Sequence, residues 1–151
     1  MTPNQQVLSR IAKTVFHLNG RFVAIGENLA RPAGLTAARW QVLGTVLGTP
    51  MSVADVAREL GLTRQSVQRV ADILVEQGLA VYRPNPAHRR AKLLNPTEEG
   101  RQAVRRIAPA HAALAERLAQ KLGPEEFPRI ADTLNDLAVL LDTLEITDQP
   151  D

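Results

Sequence analysis

Apolar positions recur along this chain at two spacings. From residue 5 to residue 30, Val7, Leu8, Ile11, Val15, Leu18, Phe22, Ile25 and Leu29 step mainly by threes and fours, the period of one helix face. Ala12, Phe16 and Val23 widen that stripe, and Gly20 and Gly26 weaken the helix by roughly 1 kcal/mol each relative to Ala. A small domain cannot cover so wide a stripe, so the pattern predicts packing on a partner chain. Arg31-Pro32-Ala33-Gly34 breaks the helix. Thr36 then caps a second helix to about Gly48, with Trp40, Val42, Leu43, Val46 and Leu47 apolar.

Residues 52–79 read as two short helices joined by a tight turn. Ser52 is an N-cap, Asp55 sits near the positive helix end, and Val53, Val56, Ala57 and Leu60 form one face. Gly61 supplies a residue that takes positive φ and ends the helix. Leu62 is expected to pack inward and Thr63 to cap a second helix over residues 64–77. There Val67, Val70, Ala71 and Leu74 share a face, and Gln65, Gln68, Arg69, Asp72 and Glu76 lie opposite. A capped helix, a glycine turn and a helix with Arg and Gln outward is the helix-turn-helix pattern. Its plain alternative is a helical hairpin with a solvated polar face.

After Gly78 the period changes to two. Leu79 and Val81, then Ala91 and Leu93, alternate with polar residues around Pro84-Asn85-Pro86-Ala87. This predicts a β-hairpin whose long tip carries His88, Arg89 and Arg90, a wing beside the recognition helix. Pro96 ends its second strand for lack of an N–H. Thr97, with Glu98 and Glu99, starts a helix to about Leu122, which Pro109 should kink or split. Gly123-Pro124 precedes a last helix over residues 125–145, striped by Ile130, Leu134, Leu137, Leu141 and Leu144, and residues 147–151 are expected to fray.

The predicted fold is mainly α with a small β-hairpin wing. A winged helix-turn-helix domain (36–96) lies between an N-terminal dimerisation helix (1–35) and C-terminal dimerisation helices (97–151). The flanking helices are apolar beyond what the winged core can cover, which points to a homodimer with interlocked chain ends.

Charge sharpens this picture. The formal net charge is only +2, but residues 83–106 hold seven Arg or Lys against Glu98 and Glu99. Residues 125–151 hold eight acids against Arg129. A basic middle beside an acidic tail suits one face for a polyanion and another kept from it. The first residues lack the pattern of a signal peptide, and no apolar run nears the roughly 20 residues a membrane span needs. The chain has no cysteine, which fits a cytoplasmic protein. With only Met1 and Met51 besides, oxidation sensing is not expected. There is no phosphate loop, metal-spaced His cluster or nucleophile with an evident base, so an enzyme and a bound cofactor are not expected.

The ordered set Leu35-Thr36-x-x-Arg39-Trp40-x-Val42-Leu43, Val53-Ala54-Asp55-Val56-Ala57-x-x-Leu60-Gly61-Leu62-Thr63, Leu74-x-x-x-Gly78-Leu79, His88-Arg89-Arg90-Ala91-Lys92 and Thr97-Glu98-Glu99-Gly100 resembles the MarR family of bacterial transcriptional regulators. That resemblance spans nearly the whole chain. It implies an obligate, roughly triangular dimer, a pseudopalindromic operator in double-stranded DNA, and often release by a small aromatic or anionic effector. The family's wing commonly reads Asp-x-Arg. Arg90 matches the Arg, whereas His88 stands at the Asp position and Pro96 at a common Leu, which implies a wing anchored differently.

The expected function is therefore a dimeric, sequence-specific DNA-binding regulator, a repressor released by a small ligand. Arg64, Gln65, Gln68 and Arg69 are the candidate base readers, because Arg bonds guanine and Gln bonds adenine bidentately in the major groove, and Thr63 is a candidate DNA contact at the helix's N-terminal end, which usually meets base edges. Ser66 and Lys92 are placed at phosphate, and Arg89 and Arg90 at the minor groove. Phe16, His17 and Trp40 are the candidate effector contacts; a core or surface role is the alternative for each. The competing function is a winged-helix protein-interaction module, whose binding need not fall steeply with salt.

Overall fold

The structure is a computed structural model describing residues 1–144. The predicted end of the last helix at Glu145 and the fraying of residues 147–151 lie outside the described residues. Contacts divide the chain into two compact units, residues 1–109 and 110–151.

In the first unit, α1 spans Pro3–Ala30, beginning two residues before its predicted start. The extension follows from a capping box: Thr2 Oγ1 accepts from Gln5 N, and Gln5 Oε1 accepts from Thr2 N. A short 3-10 turn, Arg31–Ala33, leads to α2, Ala37–Gly48. Then come β1 (Met51–Ser52), α3 (Val53–Leu60), α4 (Arg64–Glu76), β2 (Ala80–Arg83) and β3 (Leu93–Pro96). Thr36, Ser52 and Thr63 each hold an extended backbone and accept a hydrogen bond from the N–H three residues on, so all three predicted caps form. Gly61 takes φ 66° and ends α3, and Leu62 N then donates to the Ala57 carbonyl.

Leu62 itself does not pack inward; it is 45% exposed. The glycine turn fixes its backbone, so turn geometry sets the side-chain direction, while Val56, Ala57, Val67 and Ala71 of the two flanking helices are buried.

The sheet is antiparallel in the order β1-β3-β2. It adds one strand to the expected hairpin, since Met51 and Ser52 pair with Leu94 and Leu93. The inward phase also differs by one residue. Ala80, Leu94 and Pro96 are buried, whereas Val81 and Leu93 are half-buried and Ala91 lies outside the strand. In a pleated strand a one-residue shift exchanges the faces. Leu93-Leu94 offers an apolar residue to either face, so alternation alone did not fix the phase.

Leu43, Val46, Val56, Leu74 and Leu94, fully buried, form the centre of the core, with Trp40 and Tyr82 packed at its margin. Residues Glu98–Leu122 form α5, which begins in the first unit and continues through Pro109 without dividing. Its start docks closely on the turn after α4. Thr97 Oγ1 donates to the Gly78 carbonyl at 2.7 Å, Thr97 N donates to the Leu79 carbonyl, and a Cβ at Gly100 would collide with that Leu79 oxygen. Glycine is required at position 100 by this approach.

The second unit takes up the rest of α5 and α6, Glu126–Thr143. No residue of α6 is buried. Among the described residues, no helix is long and apolar enough to cross a membrane.

Candidate nucleic-acid interface

The sequence of α4 divides its surface. Val67, Ala71 and Leu74 go into the core, which turns Arg64, Gln65, Gln68, Arg69 and Asp72 to the exterior. Thr63 is committed to the cap at 3.1 Å from Ser66 N, and Ser66 Oγ donates back to the Thr63 carbonyl at 2.9 Å.

Residues 84–92 form the long loop between β2 and β3. Its tip is shaped by Asn85, whose Oδ1 accepts from Ala87 N and whose carbonyl accepts from His88 N. Arg89, Arg90 and Lys92 are exposed. A cleft of about 220 Å³ opens where this loop faces α4, walled by Arg64 and Gln68 on one side, Arg90 and Lys92 on the other, with Tyr82 and Ser52 between. Four predicted contact residues thus meet in one concavity. Thr63, Gln65, Ser66, Arg69 and Arg89 belong to the same two segments but are not on its walls.

Among the described residues, Arg64, Arg69, Arg89, Arg90 and Lys92 form no ion pair, whereas Arg58, Arg105 and Arg129 each pair with an acid. Cations left unneutralised around a cleft favour a polyanion there.

Two residues of this site were absent from the expected contacts. Asp72 Oδ1 accepts from Tyr82 Oη at 2.6 Å and from Gln68 Nε2 at 2.9 Å, and Tyr82 Oη also accepts from Gln68 Nε2 at 2.8 Å. The Gln68–Asp72 spacing of four on one helix was a visible signal for this pair. Tyr82 needed the strand phase to place it. Partial burial, then the hydrogen bond and charge of Asp72, push the Tyr82 phenol up to about 12 against an opposing bond from Gln68. The phenol therefore stays a donor throughout the neutral range.

A second cavity, about 400 Å³, lies between α1 and α2. Phe22, Val23 and Gly26 face Ala37 and Trp40 across it, and Leu60 of α3 contributes to its lining. Glu27 Oε1 accepts from Ala37 N at 2.9 Å and ties the two helices together at this end. Trp40 is in the lining. Phe16 and His17 are exposed and outside it. Phe16 follows the lining stripe but lies a turn before Asn19, and His17 points to another face of α1. Among the described residues, no cluster of His, Asp or Glu is arranged to hold a metal ion.

A three-helix core with a three-stranded sheet and a basic wing next to an exposed helix defines the winged-helix class of transcription regulators. The MarR family profile matches residues 33–91. An uncharacterised protein of Mycobacterium tuberculosis is 40% identical over 134 residues, covering 89% of this chain and 94% of that one. The chain belongs to the MarR family.

Solved relatives share the architecture over most of their length. CouR of Rhodococcus jostii, solved bound to p-coumaroyl-CoA, is 27% identical with a TM-score of 0.71, covering 85% of this chain and 91% of that one. BpsR of Bordetella bronchiseptica, whose DNA binding is regulated by 6-hydroxynicotinic acid, is 25% identical with a TM-score of 0.73, covering 85% and 98%.

Proposed function

We propose that this protein is a homodimeric, sequence-specific DNA-binding repressor whose grip on its operator is loosened by a small aromatic or anionic effector. The observation that carries the reading is the cleft in which Arg64 and Gln68 of α4 face Arg90 and Lys92 of the wing, with no acid among the described residues paired to these cations. In this reading α4 enters the major groove, where Arg64, Gln65, Gln68 and Arg69 meet base edges and Ser66 meets phosphate. The wing carries Arg89 and Arg90 to the minor groove and Lys92 to the backbone.

Dimerisation is supported by the apolar residues left in water. Leu8, Phe16, Leu140, Leu141 and Leu144 are all more than half exposed. Contiguous apolar surface on helices is the usual mark of an interface. Residues 1–35 and 97–151 supply it, and residues 36–96 read the DNA. Two α4 helices then address successive major grooves roughly 34 Å apart.

The effector reading is supported by the 400 Å³ cavity with Trp40 and Phe22 in its walls, a size typical of small-molecule sites. The p-coumaroyl-CoA bound to CouR and the 6-hydroxynicotinic acid that regulates BpsR agree with it in chemistry. A ligand bound at the α1–α2 junction acts by preferring a dimer spacing that does not fit DNA.

Footprinting on DNA upstream of the protein's own gene tests the proposal. The expected result is two protected half-sites centred about one helical turn apart, with protection lost on adding aromatic carboxylates. Uniform protection of any duplex, or none from a folded protein, contradicts it.

A further inference from the structure

We propose that Tyr82 is a positioning residue for the wing: its hydroxyl, held by Asp72, ties β2 to α4 and so sets where Arg90 stands relative to the base-reading helix. This rests on the reading of α4 in the major groove and the wing in the minor groove.

The wing has little else to hold it. Residues 84–92 contain no acid, so Arg89, Arg90 and Lys92 have no carboxylate of their own loop to fix them. Among the described residues, the hydrogen bonds inside the loop are those that Asn85 accepts from Ala87 N and His88 N, both at the tip. Below the loop the sheet is lopsided. In the order β1-β3-β2, β3 is paired on both sides, whereas β2 is an edge strand joined to β3 alone. β2 is four residues long, and so short a ladder resists tilting weakly.

Tyr82 supplies the missing side. It is the third residue of β2, next to the end from which the loop departs. From there its hydroxyl donates to Asp72 Oδ1 of α4 at 2.6 Å, the short distance of a charge-assisted bond. Gln68 Nε2 joins the same corner, 2.8 Å from Tyr82 Oη and 2.9 Å from Asp72 Oδ1. Among the described residues, every side-chain hydrogen bond between α4 and the hairpin passes through Tyr82. Arg90 lines the same cleft as Tyr82, so a tilt at the base of the wing moves Arg90 against α4. Without the tie the wing leans about its β3 pairing and Arg90 loses its place. α4 keeps its own seat, because Val67, Ala71 and Leu74 hold it in the core.

Double-variant cycles on the full chain test this, read by fluorescence anisotropy with the preferred duplex and by thermal unfolding. Tyr82→Phe keeps the ring and removes the hydroxyl; Asp72→Ala removes its partner. Each should weaken binding by about 5-fold and lower the salt slope toward that of Arg90→Ala, with the melting temperature little changed. Added to Arg90→Ala, either should cost nothing further; added to Arg64→Ala, either should cost its full factor. Tyr82→Phe that binds as the wild type does overturns the assignment, as does a loss equally large in the Arg90→Ala background, the mark of general damage. Tighter binding by Asp72→Ala overturns it too, since the carboxylate would then act by opposing DNA. If the wild type binds no duplex, or Arg90→Ala binds as the wild type does, the wing reading fails and this assignment with it.

A readout without DNA stands beside these. The chain has no cysteine, so spin labels on Ala87→Cys and Glu76→Cys report the distance from wing tip to α4 by pulsed electron paramagnetic resonance. Labelled chains are diluted with unlabelled ones, so that pairs within one chain are read. The otherwise native chain should give one narrow distance, and Tyr82→Phe a broadened or displaced one. The same narrow distance in both overturns the assignment.

Discussion

The winged core and the last helix solve the same problem in opposite ways. In the core, Leu43, Leu74 and Leu94 are removed from water entirely by other segments of the same chain. In α6, no residue is buried, and Val139, Leu140 and Leu141 are each more than half exposed, as is Leu144 just after it. Both regions are comparably apolar and comparably helical in pattern. The difference is that one set of stripes converges on a sheet and three helices, whereas the other has no such surface within its own unit. Apolar periodicity therefore states that a face must be covered; only the structure states whether the chain covers it itself.

The largest effects should fall in the core. Leu74→Ala should cost about 2–5 kcal/mol, because it leaves a cavity in a closed environment. Its loss in denaturant titration should not depend on protein concentration. Leu134→Asp combined with Leu141→Asp sharpens the contrast: the wild type should gain stability as protein concentration rises and the double variant should not, so the loss should grow with concentration, since the damage is to association. A concentration-independent loss would place these leucines in intrachain packing.

The surface of α4 comes next. Arg64→Ala should cost about 1–3 kcal/mol on the preferred duplex and relax the preference at one base pair. Arg90→Ala should weaken all duplexes alike and lower the salt slope by about 1. Thr63→Ala removes the cap on Ser66 N and should cost about 1 kcal/mol of stability, read by thermal unfolding.

The smallest effect is spectroscopic. The chain has one tyrosine, so absorbance at high pH reports Tyr82 alone. Its phenol should ionise near 12 in the folded protein against about 10 unfolded. A pKa raised by folding stabilises the protonated form. That contribution is complete below about 10 and is lost as pH rises through 12, so nothing from Tyr82 should appear between pH 6 and 9. Tyr82→Phe should abolish the signal, and Asp72→Asn should move it toward the ordinary value.

Sequence was most informative where one residue type has one local use. Ser52, Thr36 and Thr63 cap as expected because a side-chain oxygen three residues before an N–H has few competing options. Gly61 ends α3 because a left-handed residue is needed there. The exposed polar face of α4 was equally legible, since Val67, Ala71 and Leu74 leave Arg64, Gln65 and Arg69 no other side.

Tertiary partners were not legible. A two-residue strand at Met51 exists only by pairing with β3. Leu62 is apolar yet exposed, because its turn decides its direction. Gln68 looked like a free reader, but its amide nitrogen bonds Asp72 on its own helix and Tyr82, fourteen residues away. Phe16 and His17 shared α1 with the cavity, but the cavity starts a turn later, where α2 comes within reach.

The most direct test of the central claim is fluorescence anisotropy with a duplex from upstream of the gene and a scrambled control, at several salt concentrations. The account predicts selective binding of two chains per site, with affinity falling steeply and linearly on a logarithmic salt scale as several phosphates are neutralised. A folded dimer that binds neither duplex even at low salt would contradict it, and would favour a winged-helix surface made for another protein.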